Sequence, residues 1–327
     1  EVPMKYIDFH CDTLMKAFFT KKEDLCETSF MLDLGRLKSG GAFAQFFAIF
    51  MPSPGIEEYF PLAGKTEDDA YIEGCIDIFN ATLRCGEGLI APAYSAAGIS
   101  ANGQSGRISG LLTLEDGRAV NGDFGKLKRY YDRGIRLISL TWNHANCFGF
   151  PNSADPELMR KGLTGFGRQA VERMNDLGMM VDVSHLSDGG FADAAEISKK
   201  PFVASHSNCR AISPHQRNLS DEMIRILAQK GGVIGVNFAP EFLNKDLSKK
   251  DSTASMISLH LRHMINIGGI ECAAIGSDFD GISGDLEIAG AEKMPMLFDQ
   301  LKRDGLKESQ IEKIAWRNAL RVISDVL

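Results

Sequence analysis

No two of the seven cysteines form a CxxC pair, and their number is odd: Cys11, Cys26, Cys75, Cys85, Cys147, Cys209 and Cys272. A thiolate zinc site needs paired spacing and a disulfide framework an even set, so neither is expected, and a reducing compartment fits better. The chain also lacks any apolar run near the roughly 20 residues that span a bilayer. Its most hydrophobic stretch, Ala42–Met51, has the length of a buried strand with its flanks. Basic residues come as short pairs, such as Lys21-Lys22, Lys199-Lys200 and Lys249-Lys250, against a net charge of −7. A nucleic-acid footprint gathers Lys and Arg on one face, so nucleic acid is not an expected partner. No signal peptide, C-terminal hydrophobic tail, internal repeat or low-complexity segment stands out. A cytoplasmic protein without membrane attachment is therefore expected.

What is present is an alternation. Eight short segments rich in Val, Ile, Leu and Phe read as strands covered on both faces. They are Lys5–Phe9, Ala42–Phe50, Ile108–Leu114, Ile135–Leu140, Met179–Val183, Phe202–Ala204, Val233–Asn237 and Ala273–Ile275. Helical patterns lie between them: Thr66–Cys85, Phe166–Leu177, Ser187–Ser198, Ser220–Lys230, Ser252–Ile267 and a final Glu308–Val326. Gly178 reads as a C-cap and Ser220 as an N-cap. Strand–helix repetition predicts an α/β fold, a TIM-like (β/α)₈ barrel in a single domain spanning residues 1–327. An insertion of about 52–106, with Pro52-Ser53-Pro54-Gly55 near its start, reads as an elaboration of the barrel.

Polar residues cluster at the ends of these strands: His10 and Asp12 after the first, Glu115 after the third, His144 past the fourth. His185 follows the fifth, His206 the sixth and Asp278 the eighth. The C-terminal edge of barrel strands is where active sites form. One such His is more often a hydrogen-bonded structural residue, and one such Asp more often a helix cap. Six strand ends carrying His, Asp or Glu on one rim are costly unless a cation neutralises the carboxylates. Imidazole with carboxylate suits Zn²⁺, with Mn²⁺, Fe²⁺ or Co²⁺ as alternatives. Residues i and i+2 on a strand point the same way, so His10 and Asp12 can meet one ion. Glu115 could bridge two, and His185 and His206 would complete the second position.

The segments Asp8-Phe9-His10-Cys11-Asp12, Gly162–Gly167, Val181–His185, Ser205-His206-Ser207, Arg217-Asn218 and Gly276–Gly281 occur together in an order that resembles a known family. It is the membrane (renal) dipeptidase family, the zinc dipeptidases of peptidase family M19 within the amidohydrolase-like superfamily. The resemblance implies two zinc ions held by His10, Asp12, bridging Glu115, His185 and His206. It implies that His144 meets the substrate carbonyl oxygen, that Arg217 grips the terminal carboxylate and that Asp278 moves the proton. The implied reaction is dipeptide hydrolysis by a metal-bridging hydroxide, including dipeptides with a C-terminal D residue; a homodimer stays open. The alternatives are another binuclear hydrolase of the superfamily, acting on a lactone, nucleobase or phosphotriester, and a non-catalytic metal-binding protein. Without the family, Arg217 would be expected to pair with Asp221 or Glu222 on the next helix. Asp182 is expected to orient ligands, His215, His260 and His263 to lie on the surface, and Trp142 and Trp316 to sit in the core.

Overall fold

The computed structural model describes residues 3–52 and 66–327. Ser53-Pro54-Gly55 and the rest of the insertion up to residue 65 lie outside the described residues. All eight expected strands form, several of them trimmed at their ends. They are β1 (Tyr6–Asp8), β2 (Ala42–Phe50), β3 (Ile108–Glu115), β4 (Ile135–Ser139), β5 (Met180–Asp182), β6 (Val203–Ala204), β7 (Val233–Val236) and β8 (Ala273–Ile275). Each pairs in parallel with its neighbour in sequence, and β8 returns to β1 through Asp8↔Ile275. β2 and β3 pair over seven residues from Ala44↔Ser109 to Phe50↔Glu115, which completes the ring. The result is a closed (β/α)₈ barrel, as right-handed strand–helix–strand units dictate.

A ninth strand, Ile90–Pro92, arises inside the insertion and pairs with the start of β3 through Ile90↔Ile108. Two helices flank it, Asp68–Cys85 and Ala96–Gln104. The strand is too short and too mixed to show the continuous apolar run that marks the others.

Alternation along the strands sorts the core. Ile7, Ala44, Phe46, Leu111, Leu137, Met180, Val203, Val233 and Ala274 pack together in the barrel interior. Ala319, Val322, Ile323 and Val326 of the last helix, Asn318–Val326, join that cluster and cover one mouth of the barrel. This helix is the second part of the expected Glu308–Val326 segment, which a π-turn at Lys313–Arg317 divides. Trp316 at that turn is half-buried, edge-on to Phe43 with ring centroids 5.8 Å apart. The larger cluster lies between the strands and the outer helices.

Helix punctuation follows the sequence. Gly178 closes the helix Gly165–Leu177 in the left-handed conformation, and the Ser220 hydroxyl accepts from the Met223 amide at the start of Asp221–Gln229. The cysteines depart from expectation: Cys26 and Cys85 form a disulfide, with Cα atoms 6.4 Å apart. Their separation of 59 residues gave no local spacing signal; the helix Asp68–Cys85 brings its last residue back beside the loop after the first helix, Thr13–Phe19. No described helix is long and apolar enough to cross a membrane.

Candidate metal centre

The register of the strands levels their C-terminal ends: Glu115 lies beside Phe50 and Ser139, and Ser139 beside Asp182. Past these ends His10, Asp12, Glu115, His185, His206 and Asp278 converge, all buried. His10 Nε2 lies 3.1 Å from Glu115 Oε2, 3.4 Å from Asp12 Oδ1 and 3.7 Å from Asp278 Oδ1. The other oxygen of the same carboxylate, Glu115 Oε1, lies 3.1 Å from His185 Nε2 and 3.4 Å from His206 Nε2. Glu115 thus faces one donor group with each oxygen, so two adjacent ligand sets share it. β1 ends at Asp8, earlier than expected. Past it, Cys11 makes only an isolated bridge with Phe279, and Asp12 already caps the helix Thr13–Phe19, so His10 and Asp12 meet beyond the regular strand.

The backbone is bent to achieve this. His185 and Asp278 hold φ of 67° and 65°, a region L-residues rarely occupy and one enriched at functional sites. Gly281 leaves necessary room, since a Cβ there would stand 2.5 Å from Asp278 Oδ1 and closer still to Asp12.

The donor set fits a cation. His10 Nδ1 and Nε2, Asp12 Oδ1 and Glu115 Oε1 are buried without a hydrogen-bond partner among the described residues, and buried polar atoms are normally satisfied. His185 Nε2 and His206 Nε2 face each other at 3.0 Å. Burial, reinforced by Arg217, pushes the His185 pKa down to about 4; burial and then His10 push that of His206 well down. Two neutral imidazoles and a carboxylate therefore turn lone pairs toward one point. Burial opposes charge on Glu115, yet His10 and His206 outweigh it and hold its pKa well below the usual range. Burial likewise opposes charge on His10, and Glu115 and Asp12 outweigh it to hold its pKa well up. Burial lifts Asp12 to about 6 and Asp278 to about 8, with Asp12 and Glu115 adding to the rise at Asp278.

Two aspartate–serine pairs hold the ligand strands. Asp182 accepts from the amides of Ser184 and Ser205 and from the hydroxyls of Ser139 and Ser205, the last at 2.6 Å. With its proton committed to Asp182, Ser205 Oγ accepts from His206 Nδ1 at 2.7 Å. That fixes the proton on Nδ1 and leaves Nε2 bare toward the centre. Asp182 thus holds the His206 imidazole through Ser205. On the opposite side Asp8 accepts from the amide of Ser277 at 2.8 Å and its hydroxyl at 2.6 Å, tying β1 to the loop that carries Asp278. Asn237 Nδ2 donates to Asp278 Oδ2 at 2.8 Å. Serine and asparagine carry no metal signature in sequence, and these supports were not anticipated.

A cavity of about 840 Å³ opens above the cluster. Arg217 lines it and is buried. It makes no pair with Asp221, which pairs with His263 at 2.7 Å. Its Nη1 donates to Ser207 Oγ at 2.7 Å and its Nη2 to the His206 carbonyl at 2.8 Å, while its Nε has no hydrogen-bond partner among the described residues. Burial lowers its pKa to about 10, which leaves it charged at neutral pH. Asp280 also reaches the cavity and accepts from Thr13, Lys16 and the Met31 amide. Trp142 is half-buried at the cavity wall, outside the core where it was expected, and Asn143 lines the cavity beside it. His144 is not brought in: it is exposed, 6.5 Å from the Trp142 ring, and outside the cavity lining. Of the three histidines expected on the surface, His215 lines the cavity and His260 is wholly buried.

A family model described as membrane dipeptidase (peptidase family M19) matches residues 2–327. A protein from Klebsiella pneumoniae described as an uncharacterized protein in the pqqA 5′ region is 35% identical over 247 residues, 73% of this chain and 90% of its own. Dipeptidase aclJ of Aspergillus oryzae is 29% identical over 328 residues, 97% of this chain and 74% of its own. The crystal structure of a metallo peptidase from Rhodobacter sphaeroides, liganded with a phosphinate mimic of the dipeptide L-Ala-D-Ala, superposes with a TM-score of 0.88 at 27% identity. The match covers 99% of this chain and all of that one (100%).

Proposed function

The chain belongs to the membrane dipeptidase family, the M19 metallopeptidases, and from that premise we propose that it hydrolyses free dipeptides with two zinc ions. His10, Asp12 and Glu115 would hold one ion, and Glu115, His185 and His206 the other. The observation that carries this reading is the split of Glu115, one oxygen toward each donor group. The imidazole and carboxylate donors suit zinc, with no thiolate in the cluster to select a softer ion. Bound there, paired divalent ions supply Lewis acidity toward the scissile carbonyl and lower the pKa of water enough to yield a nucleophile at neutral pH.

The chain's own residues do the rest. Arg217 has five N–H donors and spends two on Ser207 and His206. The remaining donors, Nε–H among them, take a substrate's terminal carboxylate. That contact restricts the site to short peptides, and it separates this reading from lactone, nucleobase and phosphotriester hydrolysis, whose substrates generally lack a carboxylate. Asp278 accepts the proton released from water at its Oδ1 while Asn237 steadies Oδ2, then passes it to the leaving amine. A carboxyl that burial raises to about 8 holds that proton ready for the amine. His144, exposed and outside the cavity lining, has its contact with the carbonyl oxygen from the family resemblance alone. A C-terminal D residue falls within the same reading, supported by the L-Ala-D-Ala mimic held by the Rhodobacter sphaeroides relative.

The test joins metal analysis to a substrate panel. Protein purified without chelator should carry about two divalent ions per chain and cleave members of an L,L and L,D dipeptide set. Metal that stays well below that ratio after zinc addition, together with no cleavage across the panel, overturns the reading.

A further inference from the structure

Beyond the ligand cluster, four charged side chains line the cavity: Lys16, Asp280, Arg217 and Glu241. Three are committed. Lys16 Nζ pairs with Asp280 Oδ1 at 2.9 Å, and Arg217 is bonded to Ser207 and the His206 carbonyl. Glu241 forms no hydrogen bond or ion pair among the described residues, and it is half-buried. A carboxylate at the edge of a partly dehydrated cavity repels anions and favours a cation that can reach it.

Its place on the rim says which part of a substrate it meets. Glu241 sits in the short helix Pro240–Leu243, just past β7. The adjacent Phe242 lies under the Arg217 guanidinium, 5.7 Å away, and 4.9 Å from the His215 ring. The arc after β6 and β7 therefore holds Arg217, His215, Phe242 and Glu241 together. Phe50 and Trp142, packed edge-on at 4.8 Å, form an apolar wall after β2 and β4, on the other arc. A dipeptide anchored by its carboxylate on Arg217 would have its C-terminal residue beside that arc, which Glu241 shares, and its N-terminal residue on the side of the apolar wall.

We propose that Glu241 is a specificity determinant, selecting dipeptides whose C-terminal residue carries a positively charged side chain such as lysine or arginine. The proposal rests on the dipeptidase reading and on Arg217 as the carboxylate anchor, and it goes beyond both by naming the substrate side chain. It also assigns the N-terminal position to apolar residues.

The experiment measures kcat/KM of the metal-loaded protein for Ala-Lys, Ala-Arg, Ala-Met and Ala-Glu, with Glu241→Gln and Glu241→Lys alongside. Ala-Lys should exceed the near-isosteric Ala-Met by about tenfold, the worth of one charge-assisted contact. Glu241→Gln should bring that ratio close to one, and Glu241→Lys should invert it in favour of Ala-Glu. A charge inversion is a response that loss of packing alone does not produce. A Lys-to-Met ratio unchanged in Glu241→Gln overturns the proposal. So does an equal fall for all four substrates, which would place Glu241 on a group common to every dipeptide. Cleavage of all four without charge preference removes this inference and leaves the dipeptidase reading standing. No cleavage of any substrate removes that reading and the inference with it.

Discussion

His10, His185, His206 and His260 are all buried, yet they live in opposite circumstances. In the outer layer, His260 Nε2 donates to the Leu243 carbonyl at 3.0 Å, and its Nδ1 accepts from the Cys209 amide at 3.0 Å. Both nitrogens are spent, and burial pushes its pKa down to about 4. On the rim, both nitrogens of His10 lack a hydrogen-bond partner among the described residues, while His206 engages Nδ1 with Ser205 and turns Nε2 toward His185 and Glu115. Burial by itself does not mark a ligand. What marks the rim histidines is a donor atom left open toward other open donors, an arrangement that costs free energy unless a cation fills it.

Substitutions can break this contrast, and the largest effect should come from Glu115→Gln. It removes the carboxylate shared by the two donor groups, so metal content should fall and activity drop by roughly a thousandfold or more. Wild-type metal content with wild-type turnover would remove the bridging role. Next is Asp278→Asn, which keeps an oxygen near His10 but cannot carry a proton. Here kcat should fall by roughly 10²–10⁴ with the metals retained; undiminished kcat would take Asp278 out of the proton path. Arg217→Ala should raise KM by roughly ten- to a hundredfold, and an unchanged KM would return Arg217 to a purely structural role beside Ser207.

Ser205→Ala sharpens the comparison within the rim. It frees His206 Nδ1 and should weaken metal affinity by roughly tenfold or more, measured by competition with a chelator. Ser277→Ala, whose hydroxyl reaches Asp8 without touching an imidazole nitrogen, should cost less. Equal losses would dissolve the distinction.

The smallest effect on turnover belongs to His260→Gln, which should leave kcat alone and alter stability. The folded imidazole has its pKa at about 4 and an unfolded one at the ordinary 6.5. Between those values the unfolded chain binds a proton that the folded chain does not. Stability therefore falls as pH drops from 6.5 toward 4 and is unaffected above that window, by at most a few kcal/mol. Denaturant titrations should show a shallower acid limb in the variant, and identical limbs would sink this assignment.

The barrel was legible because its strands are buried on both faces and so read as continuous apolar runs. Ala42–Phe50 and Ala273–Ile275 came out with the expected bounds, and the others shifted by only a residue or two at either end. The ninth strand, Ile90–Pro92, was not legible, since three residues ending in proline offer no period. The six converging side chains were legible as polar residues after strands. Asp182 was expected to act on the ligands, but the other supports were not legible: Ser205, Ser277 and Asn237 gain meaning only from partners that lie 20 or more residues away. His260 was misread as a surface residue because helical spacing alone does not tell which face the outer layer covers. Cys26 and Cys85 were misread because an odd cysteine count argues against a full set of bridges while leaving room for one. His144, placed near the substrate by resemblance, stands exposed outside the cavity lining.

The sequence by itself determined that eight strands alternate with helices, and that carboxylates and imidazoles follow the strands at one end. Period and position are local properties, and local chemistry writes them. Only the tertiary structure decided that Glu115 faces one donor group with each oxygen, that His206 presents Nε2, and that Glu241, beside the Arg217 arc, has no ion pair or hydrogen bond among the described residues. Those outcomes depend on strand register and on left-handed turns at His185 and Asp278, and such turns are stabilised by contacts between segments far apart in the chain.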